Sequence, residues 1–256
     1  MNRSISGAIK SLALSVVVLA TFALGQGVAR ADEVLVTGFT NGCFATPATP
    51  CAPINSALPH TPPPSLLGLS YQNSRFQGVT ANGFLAFGGN PVPLPTQGTN
   101  NFGSFFLDPT NPATYDGNTF RLRITFTAPE GIADPSRVFN ADITGTVRSD
   151  ESGGVRIDFG QTANQGLIFT FNDLNCEANP LPAHAPAGQQ VTCGSGTLRL
   201  RLNDLSINPG QTAAITGDIL AQQTPIPEPA TLILLGSGLS GIAALRRRRR
   251  KNRSDV

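Results

Sequence analysis

Tryptophan is absent from this chain, Tyr and His occur twice each, and Met occurs once. Charged residues make up only 13% of the 256 positions. Lysine is confined to Lys10 and Lys251, so the middle of the chain has none. Without Trp and with so little Tyr, the aromatic platforms that sugar-binding clefts favour are scarce. No C-x-x-C, G-x-S-x-G or D-x-D-x-D-G pattern occurs. Zinc-ribbon, α/β-hydrolase and calcium-loop readings therefore have no motif to stand on. No apolar run reaches the roughly 20 residues of an ordinary membrane span.

The two ends carry what greasy sequence there is. Arg3 and Lys10 precede an apolar run from Leu12 to Leu24, interrupted by Ser15 and Thr21. Ala29-Arg30-Ala31 follows as a small-x-small cleavage site. Positive start, short apolar run and small residues make a secretory signal peptide over residues 1–31, with cleavage before Asp32. An uncleaved anchor would call for a longer run. The expected partners at this end are the Sec translocon and signal peptidase.

Removing both ends reverses the charge. The body, taken as 32–224, holds eight Arg and 14 acids, a balance of −6. An acidic body without Lys does not suit nucleic acid. Gly, Pro, Asn and Thr are frequent, and period-two alternation recurs. Phe120, Leu122, Ile124 and Phe126 fall on one face of a strand, with Arg121, Arg123, Thr125 and Thr127 on a wet one. Residues 139–159 read as a hairpin around an Asp150–Gly154 turn. Other strands are expected at 33–39, 84–87 after an Asn82-Gly83 hairpin turn, 102–107, 167–171, 198–203 and 212–220. No stretch shows a 3.6-residue period. Eight to ten strands predict an all-β fold, an antiparallel β-sandwich of jelly-roll or immunoglobulin-like topology. Thr46–Pro64, with seven prolines, and Asn90–Asn101 read as loops.

Four cysteines allow three pairings. Export favours disulfides over thiols or metal. Local closure, Cys43 with Cys51 and Cys176 with Cys193, is the simplest arrangement. His60 and His184 sit in Pro-rich loops, where solvation is expected, and no metal or cofactor is expected. Asp142 and Asp158 fall on wet strand faces. Dispersed acids form no recognisable catalytic pair, and the chain is read as a non-enzyme.

The C-terminus is the most specific part. Pro225-Ile226-Pro227-Glu228-Pro229 resists helix and central strand. An apolar stretch, 230–245, follows and is expected to form a single membrane helix. Arg246, Arg247, Arg248, Arg249, Arg250 and Lys251 begin a basic end, 246–253, that stays cytoplasmic and leaves the body outside. Gly236, Gly238 and Gly241 match G-x-G-x-x-G, but with only 15 residues after Gly241 no βαβ unit can follow.

Pro227-Glu228-Pro229-Ala230-Thr231-Leu232, the glycine-containing apolar stretch and the Arg block together resemble the PEP-CTERM sorting signal, over residues 225–256. The resemblance implies recognition of Pro227, Glu228 and Pro229 by an exosortase, a membrane-embedded cysteine protease or transpeptidase of Gram-negative bacteria. It implies anchorage in the inner membrane before processing, then a place at the cell surface or in the extracellular matrix. It also implies a link to exopolysaccharide and biofilm. A structural or matrix-associated role for the body is the leading expectation. An extracellular polysaccharide-binding module is the alternative, and a secreted hydrolase the third.

Overall fold

The computed structural model describes residues 33–89, 91, 96–174, 191 and 193–225. Sixteen strands and one short helix occur among them. The first eight strands are β1 (Leu35–Ala45), β2 (Ser65–Leu66), β3 (Leu69–Gln72), β4 (Ser74–Val79), β5 (Phe84–Phe87), β6 (Gly98–Thr99), β7 (Ser104–Leu107) and β8 (Ala113–Thr114). Then come β9 (Asn118–Ala128), β10 (Ser136–Val147), β11 (Gly153–Asp158) and helix α1 (Gly160–Gln165). The last are β12 (Leu167–Asp173), β13 (Gly194–Leu202), β14 (Leu205–Ile207), β15 (Thr212–Ala214) and β16 (Gly217–Pro225).

They form three sheets. The large one runs β14-β11-β10-β9-β1-β4-β6, with β8 also paired to β10. The second runs β12-β13-β16-β5 and the third β15-β7-β3-β2. Pairing is antiparallel apart from β4 with β6, so the all-antiparallel expectation fails at one short strand. β15 passes into β16 through Ile215 and Thr216, which carries the chain from the third sheet to the second. Ile215 is fully buried there and exchanges backbone bonds with Phe102 and Gly103. The expected single strand over 212–220 is thus two strands in two sheets.

Phenylalanine does the packing that Trp and Met do elsewhere. Phe120 on β9 lies 4.8 Å from Tyr71 and 4.8 Å from Phe105, both of the third sheet. Phe126 lies 4.8 Å from Phe169 of the second sheet, and Phe76 on β4 lies 5.2 Å from Phe87 on β5. One continuous buried cluster joins all three sheets. Phe120, Leu122, Ile124 and Phe126 all point into it, as the alternation requires. Close approach needs a missing side chain at Gly42, whose Cβ would stand 2.2 Å from the Phe120 ring.

Asn82 and Gly83 both have positive φ, 51° and 77°, as a type I′ turn demands. The strands it joins nevertheless separate, β4 into the large sheet and β5 into the second. The bridge Ala81–Phe84 is all that remains of a hairpin there. The expected 139–159 hairpin is present as β10 and β11. Helix α1 was not foreseen, because six residues are too few to show a period.

The Pro-rich segment 46–64 is a loop, as expected, but it is a strap rather than a free excursion. Arg121 donates to Cys51 O and Asn41 to Ser56 O. Thr125 Oγ1 bonds Asn55 Oδ1 at 2.9 Å, and Arg75 donates to Ala57 O through Nη2 at 3.1 Å. Asn73 Nδ2 donates to Leu58 O at 2.8 Å. The strap therefore covers part of the outer face of β1, β4 and β9, and Thr125 is only 7% exposed where a wet face was expected, while Arg75, Gln77 and Thr127 stay exposed. Proline explains this. It removes competing N–H groups and keeps the strap extended, so its carbonyls accept from the sheet's side chains. The Cys43–Cys51 disulfide ties the strap to β1. Closing so short a loop stabilises by about 2–3 kcal/mol in the chain-entropy account.

Candidate functional site

β16 alternates Ile219, Ala221 and Gln223 inward with Asp218, Leu220 and Gln222 outward. β5 pairs with it over Gly217–Leu220, and Ala221 donates its N–H to Gly83 O at 2.6 Å. β13 pairs with it to the end, Ser195 with Thr224 and Gly194 with Pro225. Pro225 is thus strand, although the sequence places it in a segment that resists helix and central strand; β5 pairs with β16 only as far as Leu220, so the proline sits on a free edge of the pair. Ile226 alone stands between the paired strand and the Pro227-Glu228-Pro229 triplet.

Pro227, Glu228, Pro229, the 230–245 stretch and Arg246 to Lys251 lie outside the described residues, as do Ala29 and Ala31. Among the described residues no helix is long and apolar enough to cross a membrane. Cys43 and Cys51 are joined as expected. Cys193 is also disulfide-bonded. Cys176, the other cysteine in the sequence, lies outside the described residues, as does His184.

His60 departs from expectation. It is half-buried within the strap rather than solvated. Its backbone N–H donates to Asn73 Oδ1 at 3.2 Å, and its ring lies edge-on to Tyr71 at 6.5 Å. Nε2 is buried without a hydrogen-bond partner in the structure. Desolvation lowers the pKa below the ordinary 6.5. The folded protein then holds the neutral ring, and the unfolded chain takes up the proton first. Stability from this group is complete above pH 6.5 and is lost as pH falls from there through the lowered folded value. The melting temperature of the wild type should fall across that window, and His60→Gln should flatten the fall. Parallel pH profiles for the two proteins would contradict the assignment. Tyr71 beside it is fully buried, and burial raises its hydroxyl pKa strongly. That hydroxyl bonds Thr40 Oγ1 at 3.0 Å and Phe102 O at 3.2 Å.

The acids are tied into the frame. Arg201 grips Asp218 with two bonds, 2.8 and 3.0 Å, which raises the guanidinium pKa further. Asp204 accepts from Phe159 N at 2.9 Å and from Arg156 at 3.3 Å. Asp158 accepts from Gly160 N at 2.8 Å and from the same Arg156. Asp142, exposed, stands opposite Asp158 across β10 and β11. An open depression of about 410 Å³ lies over Asn164, Arg201, Asn203, Asp204 and Asp218. The described residues contain no cluster of three or more metal-ligating side chains.

The outward face of the second sheet carries a feature that the sequence left unseen. Register aligns Ile168, Arg199, Leu220 and Phe84 in one row across all four strands. Ile168 is 56% exposed and Phe84 46%. The neighbouring row is Thr170, Thr197 and Gln222. Each strand's alternation shows which residues point outward, but only inter-strand pairing makes them a band.

Comparison with known proteins bears on the tail. The PEP-CTERM protein-sorting motif matches residues 225–250, and its first residue is the last of β16. The motif implies an exosortase as processing partner. No curated protein and no solved structure matches the chain.

Proposed function

We propose that this chain is an exported, non-enzymatic surface or matrix protein of a Gram-negative bacterium, inserted by its tail and trimmed there by an exosortase. The observation that carries the reading is the sorting motif, which matches residues 225–250 from the last residue of β16 onward. Every sheet described lies ahead of the Pro227-Glu228-Pro229 triplet in the chain, so trimming at the triplet leaves all of them on the released body. The Sec translocon and signal peptidase handle the other end, and biofilm exopolysaccharide is the setting in which such a body would act. Intact-mass spectrometry of the protein from its native host tests this. The expected mature chain begins at Asp32 and ends near Pro227-Glu228-Pro229. Recovery of surface protein with Arg246 to Lys251 still attached would overturn it.

A second reading, polysaccharide binding by the body, is favoured by the band on the second sheet. Phe84 offers a ring to a sugar face, Arg199 a cation to a uronate, and Thr170, Thr197 and Gln222 hydroxyl and amide groups. A pull-down with host exopolysaccharide should retain the wild-type body and lose a Phe84→Ala, Arg199→Ala double variant. Equal retention of both would remove this reading.

A further inference from the structure

Both ends of the body leave from one pole. Leu35 at the start of β1 pairs with Val79, and Thr37 pairs with Ala128. Leu35, Val79 and Ala128 share a small apolar cluster on which Val191 packs. The loop after Ala128 meets the end of β12, where Glu130 N donates to Asp173 at 3.2 Å. Asp173 pairs with Gly194, and Gly194 with Pro225. The Asn82-Gly83 turn closes the circuit: Thr80 N donates to Val34 O, and Ala221 N to Gly83 O. The opposite pole carries the end of β1, with Ala48 exposed just beyond it.

Chain length then sets a tight limit. Two residues reach at most about 7 Å, so Pro227 stands within that distance of the paired backbone at Pro225. Any enzyme that holds the triplet must lie against this pole. Residue 33, next to the expected signal-peptide cleavage site, is here too, so both greasy segments of the precursor join the body at this end.

We infer that this pole, formed by the Asn82-Gly83 turn, the 129–135 loop and the end of β12 at Leu174, is the docking surface for the sorting protease. This rests on the exosortase reading above. Leu174 is 57% exposed at the pole and supplies an apolar contact. Glu33, Glu130 and Asp134 stand here with Arg137. An acidic surface suits a protein partner and not the anionic headgroups of a bilayer.

Site-specific photo-cross-linking in the native host, using the full-length precursor and a tagged exosortase, tests the inference. A photo-reactive residue at Asn82 or Leu174 should trap the enzyme, and one at Ala48 should not. A long Gly/Ser spacer inserted after Pro225 should abolish the cross-links while trimming continues. Leu174→Glu should slow trimming several-fold at native spacing and not behind the spacer. Equal cross-linking at both poles, or none at Asn82 and Leu174 while the tail is being trimmed, would overturn the docking surface and leave the sorting assignment standing. A wild-type tail that stays intact whether or not the host makes exosortase would overturn both.

Discussion

Replacing Phe120 by Ala is expected to cost the body about 3–5 kcal/mol, the range for a fully buried aromatic truncated in place. Phe120 is 0% exposed. Its ring lies 5.2 Å from Phe44 and 4.8 Å from both Tyr71 and Phe105, so one truncation removes three ring contacts. The space cannot collapse easily, because the β1 backbone already touches the ring at Gly42. Domains have about 5–15 kcal/mol to lose, so the variant should unfold at a much lower denaturant concentration with an unchanged slope. Phe84→Ala is the matched control. That ring is 46% exposed on the outer row of the second sheet, and its loss should stay within about 0.5 kcal/mol. Similar midpoints for the two variants would refute the packing assigned to Phe120.

This contrast also shows where sequence reading works. Alternation in 120–127 identified the inward face of β9 because sheet geometry forces side chains to opposite sides. It could not tell that the other face of β9 is partly covered, since the cover comes from residues 51–58, far away in the chain. It could not separate β15 from β16 either. The break falls at Ile215 and Thr216, where alternation continues but the chain changes sheets. The Asn82-Gly83 turn was legible from its residue types, while the parting of β4 and β5 beyond it depends on which distant strands compete for their edges. Short strands such as β2, β6 and β8 have two residues each, below any periodic signal.

The sites divide along the same line. The tail was legible because its order of prolines, apolar stretch and arginines is written in consecutive residues. Cys43 and Cys51 were legible because their partners are local. The pole and the outer band were not, because each is assembled by pairing among strands up to about half the chain apart. His60 was misread for a related reason. Its Pro-rich neighbours suggested solvent, yet those prolines hold the strap against the sheet beside Tyr71.

Glu228→Ala should abolish trimming while leaving the body's melting temperature where it is. The two halves of that expectation have separate physical grounds. The melting temperature should hold because every strand pairing among the described residues lies at or before Pro225, ahead of the substitution. Recognition is sensitive because Glu228 is the sole acid between Asp218 and Asp255, so no neighbouring carboxylate can substitute for it. Pro227 fixes its own φ, and Pro229 restricts Glu228 to extended geometry. A protease therefore meets the carboxylate with little conformational freedom left to lose on binding. Glu228→Gln keeps the shape and removes the charge. It should fail as Ala does if a cation reads the carboxylate, and should retain partial trimming if hydrogen bonding suffices. Mass spectrometry of each variant reads the outcome. Wild-type trimming in the Ala variant would show that the triplet's acid is not what the enzyme reads, and a lowered melting temperature would show that Glu228 contributes to the body's stability.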